Sequence, residues 1–294
     1  MKLISKPKYI GEKVIEMILL ISAVISILSL VIIAVYIFAK GAPAFFEVGI
    51  PRFIFGSNWE PLNKDFGIAP MIVASILATL GSLVIGTFIG ILTAVFLAEL
   101  APKWMVRIVR PAIQLLAGIP SVVFGFFGVV VIVPMIIKYL DPGGAGNSLL
   151  AVIIILSIMI LPTIVSISET AINAVPDSYK QGSLALGATH IQTIFKVILP
   201  AAKSGIYASI ALGAGRAIGE TMAVILVAGN TALFPKAITD SVRTLTANIA
   251  MEMGYASGIH QDALFATGVV LFVFIMILNL IINVLQRGRK EKAK

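Results

Sequence analysis

Six stretches of the chain are nearly free of charge: residues 18–39, 71–98, 111–137, 148–168, 204–234 and 263–286. Each is longer than the ~20 apolar residues that a helix needs to cross ~30 Å of hydrocarbon. Five hold no Asp, Glu, Lys or Arg; the stretch 204–234 is broken only by Arg216 and Glu220. The pattern predicts an all-α integral membrane protein, a single transmembrane domain over 1–294 with six transmembrane helices. The first stretch follows Lys2, Lys6, Lys8 and Lys13 but is too long for the apolar core of a signal peptide, so an uncleaved first span is expected.

The polar segments between the stretches assign the sides. Six spans put both termini on one side. That side also collects Lys103, Arg107 and Arg110, then Lys180, Lys196 and Lys203, and finally Arg287, Arg289, Lys290, Lys292 and Lys294. The other side carries only Lys40, Arg52, Lys64, Lys138, Lys236 and Arg243. Cytoplasmic segments are enriched in Lys and Arg, so the expectation is a multi-pass protein of the cytoplasmic (inner) membrane with both termini in the cytoplasm. On the outer side, segments 40–70 and 231–262 are long. Phe53, Phe55, Trp59 and Phe66 in the first predict structure packed at the membrane interface, with reception of an external partner as the alternative.

Composition agrees: 59% of residues are hydrophobic, 12% are charged and mean hydropathy is +1.05, whereas a soluble domain carries about a quarter charged residues. The net charge of +8 does not point to nucleic acid. Its basic residues lie at the termini and in short loops, without the contiguous basic face that a nucleic-acid groove requires. There is no Cys, and the only histidines are His190 and His260, so no metal or iron–sulfur site is expected.

One segment on the basic side, 176–203, is long for a connector and patterned. Leu184, Gly187, Ala188, Ile191, Ile194, Phe195 and Ile198 recur at helical spacing, predicting an amphipathic helix or two short ones with a turn at Gly187 and a stop at Pro200. Such a helix either lies on lipid headgroups or offers its apolar face to a groove on a cytosolic partner. The chain has no G-x-x-x-x-G-K-[ST] phosphate loop and is not itself a P-loop ATPase.

Arg216 and Glu220 fall near the middle of 204–234. A central Arg costs ~2.5–3.5 kcal/mol on insertion scales. At i and i+4 the two side chains share a helix face and are expected to pair. One reading is an intrahelical ion pair that only orients the helix. The other is a face lining a polar cavity, where Arg216 meets an anion and Glu220 holds Arg216 when the anion is absent. Gly213, Gly215, Gly219, Ala211, Ala214 and Ala217 permit close helix approach, and Thr221 adds a hydroxyl. A guanidinium fork fits a small oxyanion, and chemistry alone leaves phosphate, sulfate and carboxylate open. Ser121, in "GIPSVV", is placed either on the translocation path or bonded back to its own helix; Gln114 is the other polar residue of that stretch.

Four motifs carry a resemblance. "QGSLALG" followed by "VILP", with Gly187 thirteen residues before Pro200, is similar to the EAA loop of ABC-importer permeases, with Gln181 where the consensus has Glu and Gly182-Ser183 where it has Ala-Ala. "GAGRAIGETMAVILVAGN" resembles the fifth span of phosphate-specific transport permeases of the PstC type, and "LLAGIPSVVFGFFG" and "FGIAP" resemble their third-span signature and second-span entry. The resemblance implies a type I ABC importer permease fold with a cytoplasmic coupling helix. It implies ATPase coupling through Gln181, Gly182, Ser183, Gly187, Leu199 and Pro200, and phosphate translocation through Arg216 and Glu220, with Thr221 and Ser121 beside them. It further implies a PstA-type second permease, two PstB-type ATPase subunits that carry ATP and Mg, an extracytoplasmic PstS-type phosphate-binding protein, and no cofactor on this chain. An ion-coupled secondary anion carrier is the competing reading, but it predicts internal repeats, and none is found between the halves. An intramembrane enzyme lacks a catalytic constellation.

Overall fold

A computed structural model describes residues 10–287; the basic tails at 1–9 and 288–294 lie outside the described residues. Among the described residues, six helices are long and apolar enough to cross a membrane. The first, α1 (Ile10–Val48), is apolar all round and its Ile and Leu side chains are exposed, as expected of a helix facing lipid. It packs along the last helix, with Tyr36 edge-on to Phe265 and Phe38 edge-on to Phe272.

The segment after α1 folds into a compact cap rather than a loose loop. It contains α2 (Ile50–Phe55) and a small hairpin of β1 (Trp59–Glu60) and β2 (Asp65–Phe66), with Lys64 in the left-handed region at φ 54°. Phe53, Trp59 and Phe66 are buried there and Phe55 is exposed, so three of the four aromatics pack inside the cap.

Next, α3 (Ala69–Val95) runs on through a π-helical turn to Leu100. Its Gly81, Gly86 and Gly90 receive Ile153, Ile160 and Ile164 of the central helix, so the two backbones approach closely. Then α4 (Lys103–Gly118) ends at Ile119–Pro120, where both residues are extended, and α5 (Ser121–Phe127) begins. A π-helical turn and α6 (Val133–Tyr139) complete the third span, Ser121–Tyr139. The expected start at 111 is therefore corrected. Residues 111–118 belong to α4, a separate amphipathic helix, because proline at 120 has no N–H for the ladder and fixes an extended break.

The central helix is α7 (Leu149–Asn173). Ser148 caps it by accepting the N–H of Ala151, and its Ile155, Leu156, Met159, Ile160 and Ile164 form the core. After it come α8 (Asp177–Ala185) and α9 (His190–Thr193), the latter opened by a capping box of Thr189 and Gln192. A π-helical turn carries α9 without interruption into α10 (Leu199–Gly219). Pro200 thus lies within a continuous helix instead of stopping one, its missing N–H falling directly after the π-helical turn, where the ladder is already shifted. The last elements are α11 (Met222–Val227), α12 (Leu245–Glu252), capped by Thr244, and α13 (Ile259–Arg287).

Candidate functional site

The expected fifth span is broken in its middle. α10 ends at Gly219, Glu220 is extended (φ −70°, ψ 131°), and α11 starts two residues later. The depth of the break follows from how α10 packs on α7. Gly205 faces Ala171, Ser209 Oγ meets Ser168 Oγ at 2.9 Å, and Gly213 faces Ile164. This antiparallel register sets Arg216 level with about Ile160, midway along α7. The Pro120 break lies at the same depth. A Cβ at Gly125 would meet Ala223 and Leu226, and one at Gly128 would meet Val227, so α5 and α11 run side by side from neighbouring starts.

The expected i, i+4 ion pair is absent, since the helix that would carry it ends between its partners. Glu220 instead turns its carboxylate to the next helix, where Oε1 accepts the N–H of Ala223 at 3.1 Å, and its carbonyl accepts from Thr246 Oγ1 at 2.9 Å. Arg216 is half-buried in the last turn of α10 and makes no hydrogen bond or ion pair within the described residues. Thr221 is held locally, donating to the carbonyl of Gly219 at 3.3 Å. Ser121 reaches the same depth but forms no bond to Arg216 or Glu220. The arrangement is a guanidinium without a partner among the described residues, at the depth of two chain breaks, which is chemistry that suits an anion.

At the end where α1 begins and α13 finishes, four of the six residues expected to couple to the ATPase lie around one turn. Gln181, Gly182 and Ser183 lie on α8, and Gly187 makes the turn at φ 82°, which a side chain adopts only with strain. Ser183 Oγ meets Thr193 Oγ1 at 3.0 Å across that turn. Leu199 and Pro200 sit higher, at the start of α10, and Leu186 and Tyr179 are exposed.

Sequence reasoning missed the carboxylate that holds this turn. Glu99, in the π-helical turn that ends α3, is largely shielded from solvent, accepts from Lys180 Nζ at 2.5 Å and lies 3.6 Å from His190 Nε2. It also missed Arg110 of α4, whose Nε and Nη2 both donate to Glu169 Oε1 of α7. At the opposite end, Glu252 is buried between Trp59 Nε1 (2.8 Å), His260 Nε2 (2.8 Å) and Arg243 Nη1 (2.7 Å), tying the hairpin, the 229–244 loop, α12 and α13 together. In that loop the Asp240 carboxylate is held below its ordinary range by the backbone N–H groups of Ala237 and Lys236. No group of three or more His, Asp or Glu able to hold a metal occurs among the described residues.

Residues 86–291 match the family described as binding-protein-dependent transport system inner membrane component. The chain is 41% identical over 281 residues to the probable ABC transporter permease protein YqgH of Bacillus subtilis (strain 168), covering 94% of this chain and 91% of that one. It is 34% identical over 239 residues to the phosphate transport system permease protein PstC of Pasteurella multocida (strain Pm70), covering 75% of each. Among solved structures, a bacterial alginate ABC transporter chain superposes with a TM-score of 0.65 at 18% identity, covering 95% of this chain and 98% of that one. An inward-facing MetNI methionine transporter chain gives 0.61 at 20% identity, covering 79% and 99%. The superpositions establish the type I importer fold and the sequence match establishes descent: the chain belongs to the inner-membrane components of binding-protein-dependent transport systems, a non-catalytic multi-pass permease whose ATP hydrolysis resides on a separate subunit.

Proposed function

We propose that this permease moves inorganic phosphate into the cell, with Arg216 as the transient anion site. The observation that carries the reading is the unpaired guanidinium at the mid-membrane break of α10, with Glu220 engaged elsewhere. The PstC-named relatives favour phosphate over the other oxyanions that fit a guanidinium fork. The excess of Lys and Arg beside α8 favours a cytoplasmic location for that end and for both termini. The working complex then contains this chain, a PstA-type permease, two PstB-type ATPase subunits on the cytoplasmic side and a PstS-type phosphate-binding protein outside. This chain binds no cofactor; ATP and Mg sit on the ATPase pair.

Coupling follows from the continuity of one helix. From His190 to Gly219 the chain is helical for 30 residues, a rod of ~45 Å at 1.5 Å per residue. Its foot touches the Glu99-bound turn and its head carries Arg216. Closure of the ATPase pair on ATP, acting on α8 at Gln181–Ser183, moves the foot and so shifts the head between outward and inward access. Thr221 and Ser121 supply hydroxyls at the depth of the break. Arg216 holds the anion strongly enough to accept it and weakly enough to release it.

The test is phosphate uptake into proteoliposomes containing the four-component complex. Arg216→Gln should abolish uptake with the complex still assembled and ATP still hydrolysed. Uptake at the wild-type rate in that variant, or uptake by the wild-type complex without ATP, would refute the reading.

A further inference from the structure

The ion pair between Arg110 and Glu169 is built unlike a structural clamp. Glu169 is 8% exposed and Arg110 48% exposed, so a buried anion meets a half-open cation. Two of the three guanidinium nitrogens, Nε and Nη2, donate to a single oxygen, Oε1, which leaves Nη1 of Arg110 unspent. Arg110 and Glu169 both line a polar recess of about 450 Å³ between α4 and α7. Gln114, Ser166 and Asn173 line the recess, and their side chains make no hydrogen bond within the described residues. Unpartnered amides, a hydroxyl and a guanidinium lining one polar recess are the groups that recognise a tetrahedral oxyanion.

Its position adds direction. Glu169 is nine residues beyond Ile160 on α7, which is ~13 Å from the depth of Arg216 toward the α8 end. Lys103, Arg107, Arg110 and Gln114 recur at intervals of four, three and four, so they form one stripe along α4, and all four are exposed. The stripe leads from the break at Pro120 to the α8 end.

We propose that the Arg110–Glu169 recess is a release site for the transported anion on its way from Arg216 to the cytoplasm; this rests on the phosphate reading above. Arg110 supplies the attraction that draws the anion off Arg216. Glu169, already holding Arg110, repels the arriving anion and keeps it from staying. A lone cation at this depth would trap a dianion, and a lone carboxylate would block it. The pair gives a shallow site from which the anion leaves by way of Arg107 and Lys103.

The experiment measures binding of radiolabelled inorganic phosphate to the complex in nanodiscs, without ATP and without the binding protein. Uptake kinetics in proteoliposomes run in parallel. Glu169→Gln should tighten phosphate binding by about tenfold, since it removes one repulsive charge from a partly buried site. It should lower the kcat of uptake and leave KM nearly unchanged. Arg110→Gln added to Glu169→Gln should abolish the gain. If Glu169→Gln does not assemble, Gln114→Arg adds an unneutralised cation one turn along α4 and should tighten binding and slow turnover in the same way. Binding unchanged in these variants, with wild-type phosphate uptake intact, would overturn the release site alone. A wild-type complex that takes up no phosphate would overturn the phosphate reading and the release site with it.

Discussion

Replacing Glu99 by Gln removes the charge from a carboxylate that holds Lys180 of α8 and approaches His190 at the start of α9. Glutamine keeps the volume and one acceptor, so the perturbation is electrostatic. Exposed pairs contribute about 0–1 kcal/mol and breaking a buried pair costs about 3–5 kcal/mol. Here the carboxylate is 10% exposed and Lys180 34% exposed, which places the loss between those limits at roughly 1–2 kcal/mol. If the tie is made in one transport state and not the other, that loss shifts the balance between states by about 5–30-fold, at 1.4 kcal/mol per factor of ten. The assay is phosphate taken up per ATP hydrolysed in proteoliposomes. Glu99→Gln should retain ATP hydrolysis and lose most of the uptake it drives. Lys180→Met should behave alike, and the double variant should be no worse than either single one, since each removes the same contact. Independent effects that multiply in the double variant would refute the argument, as would parallel loss of hydrolysis and uptake through failed assembly.

Three further outcomes are expected. Glu252→Gln leaves Arg243, only 17% exposed, without its anion; it should destabilise the complex by about 3 kcal/mol, read as a lowered Tm in detergent. At Gly41 a Cβ would lie 2.8 Å from the backbone nitrogen of Ala266, so Gly41→Ala should push α1 off α13 at a cost of about 1–3 kcal/mol, visible as reduced cross-linking between introduced cysteines at 37 and 268. The Asp240 carboxylate is lowered by its two backbone donors. Its stabilisation of the 236–242 loop is therefore complete above the ordinary carboxylate pKa of about 3.9 and lost as pH falls through the lower folded value. Protection of that loop from proteolysis should be flat near neutrality and fall only in the acid range, and Asp240→Asn should remove the acid-side drop.

The spans were legible in the sequence because lipid imposes an unbroken apolar pattern, and the turn at Gly187 was legible because its flanks keep helical spacing. The break at Glu220 was not. "AIGETMAV" stays apolar enough on both sides to pass as one helix, and the carboxylate that seemed to need Arg216 is satisfied by a backbone N–H three residues ahead. Equally hidden was α4, since beginning the span after the last cation split its polar stripe, leaving Arg110 outside and Gln114 inside. Glu99 and Lys180 are 81 residues apart, and Arg110 and Glu169 are 59 apart. Each looked like the ordinary charged boundary of an apolar run, and no local period pairs such residues. Arg216 was singled out for its depth and paired with Glu220, which instead accepts from the Ala223 N–H.

The two chain breaks at Pro120 and Glu220 lie at one depth, and this has a mechanical consequence. They interrupt two of the chain's paths through the membrane at one level, while α3 and α7 run through that level unbroken, joined by their glycine-faced seam. Below the breaks lie α4, α10 and the α8–α9 turn; above them lie α5, α6, α11 and the cap fastened by Glu252. Changes in the backbone torsions at 119–121 and 219–221 would let α4 and α10 tilt relative to α5 and α11 without bending a hydrogen-bonded helix. Arg216 sits at that level, in the last turn of α10, and would move with any tilt of that helix.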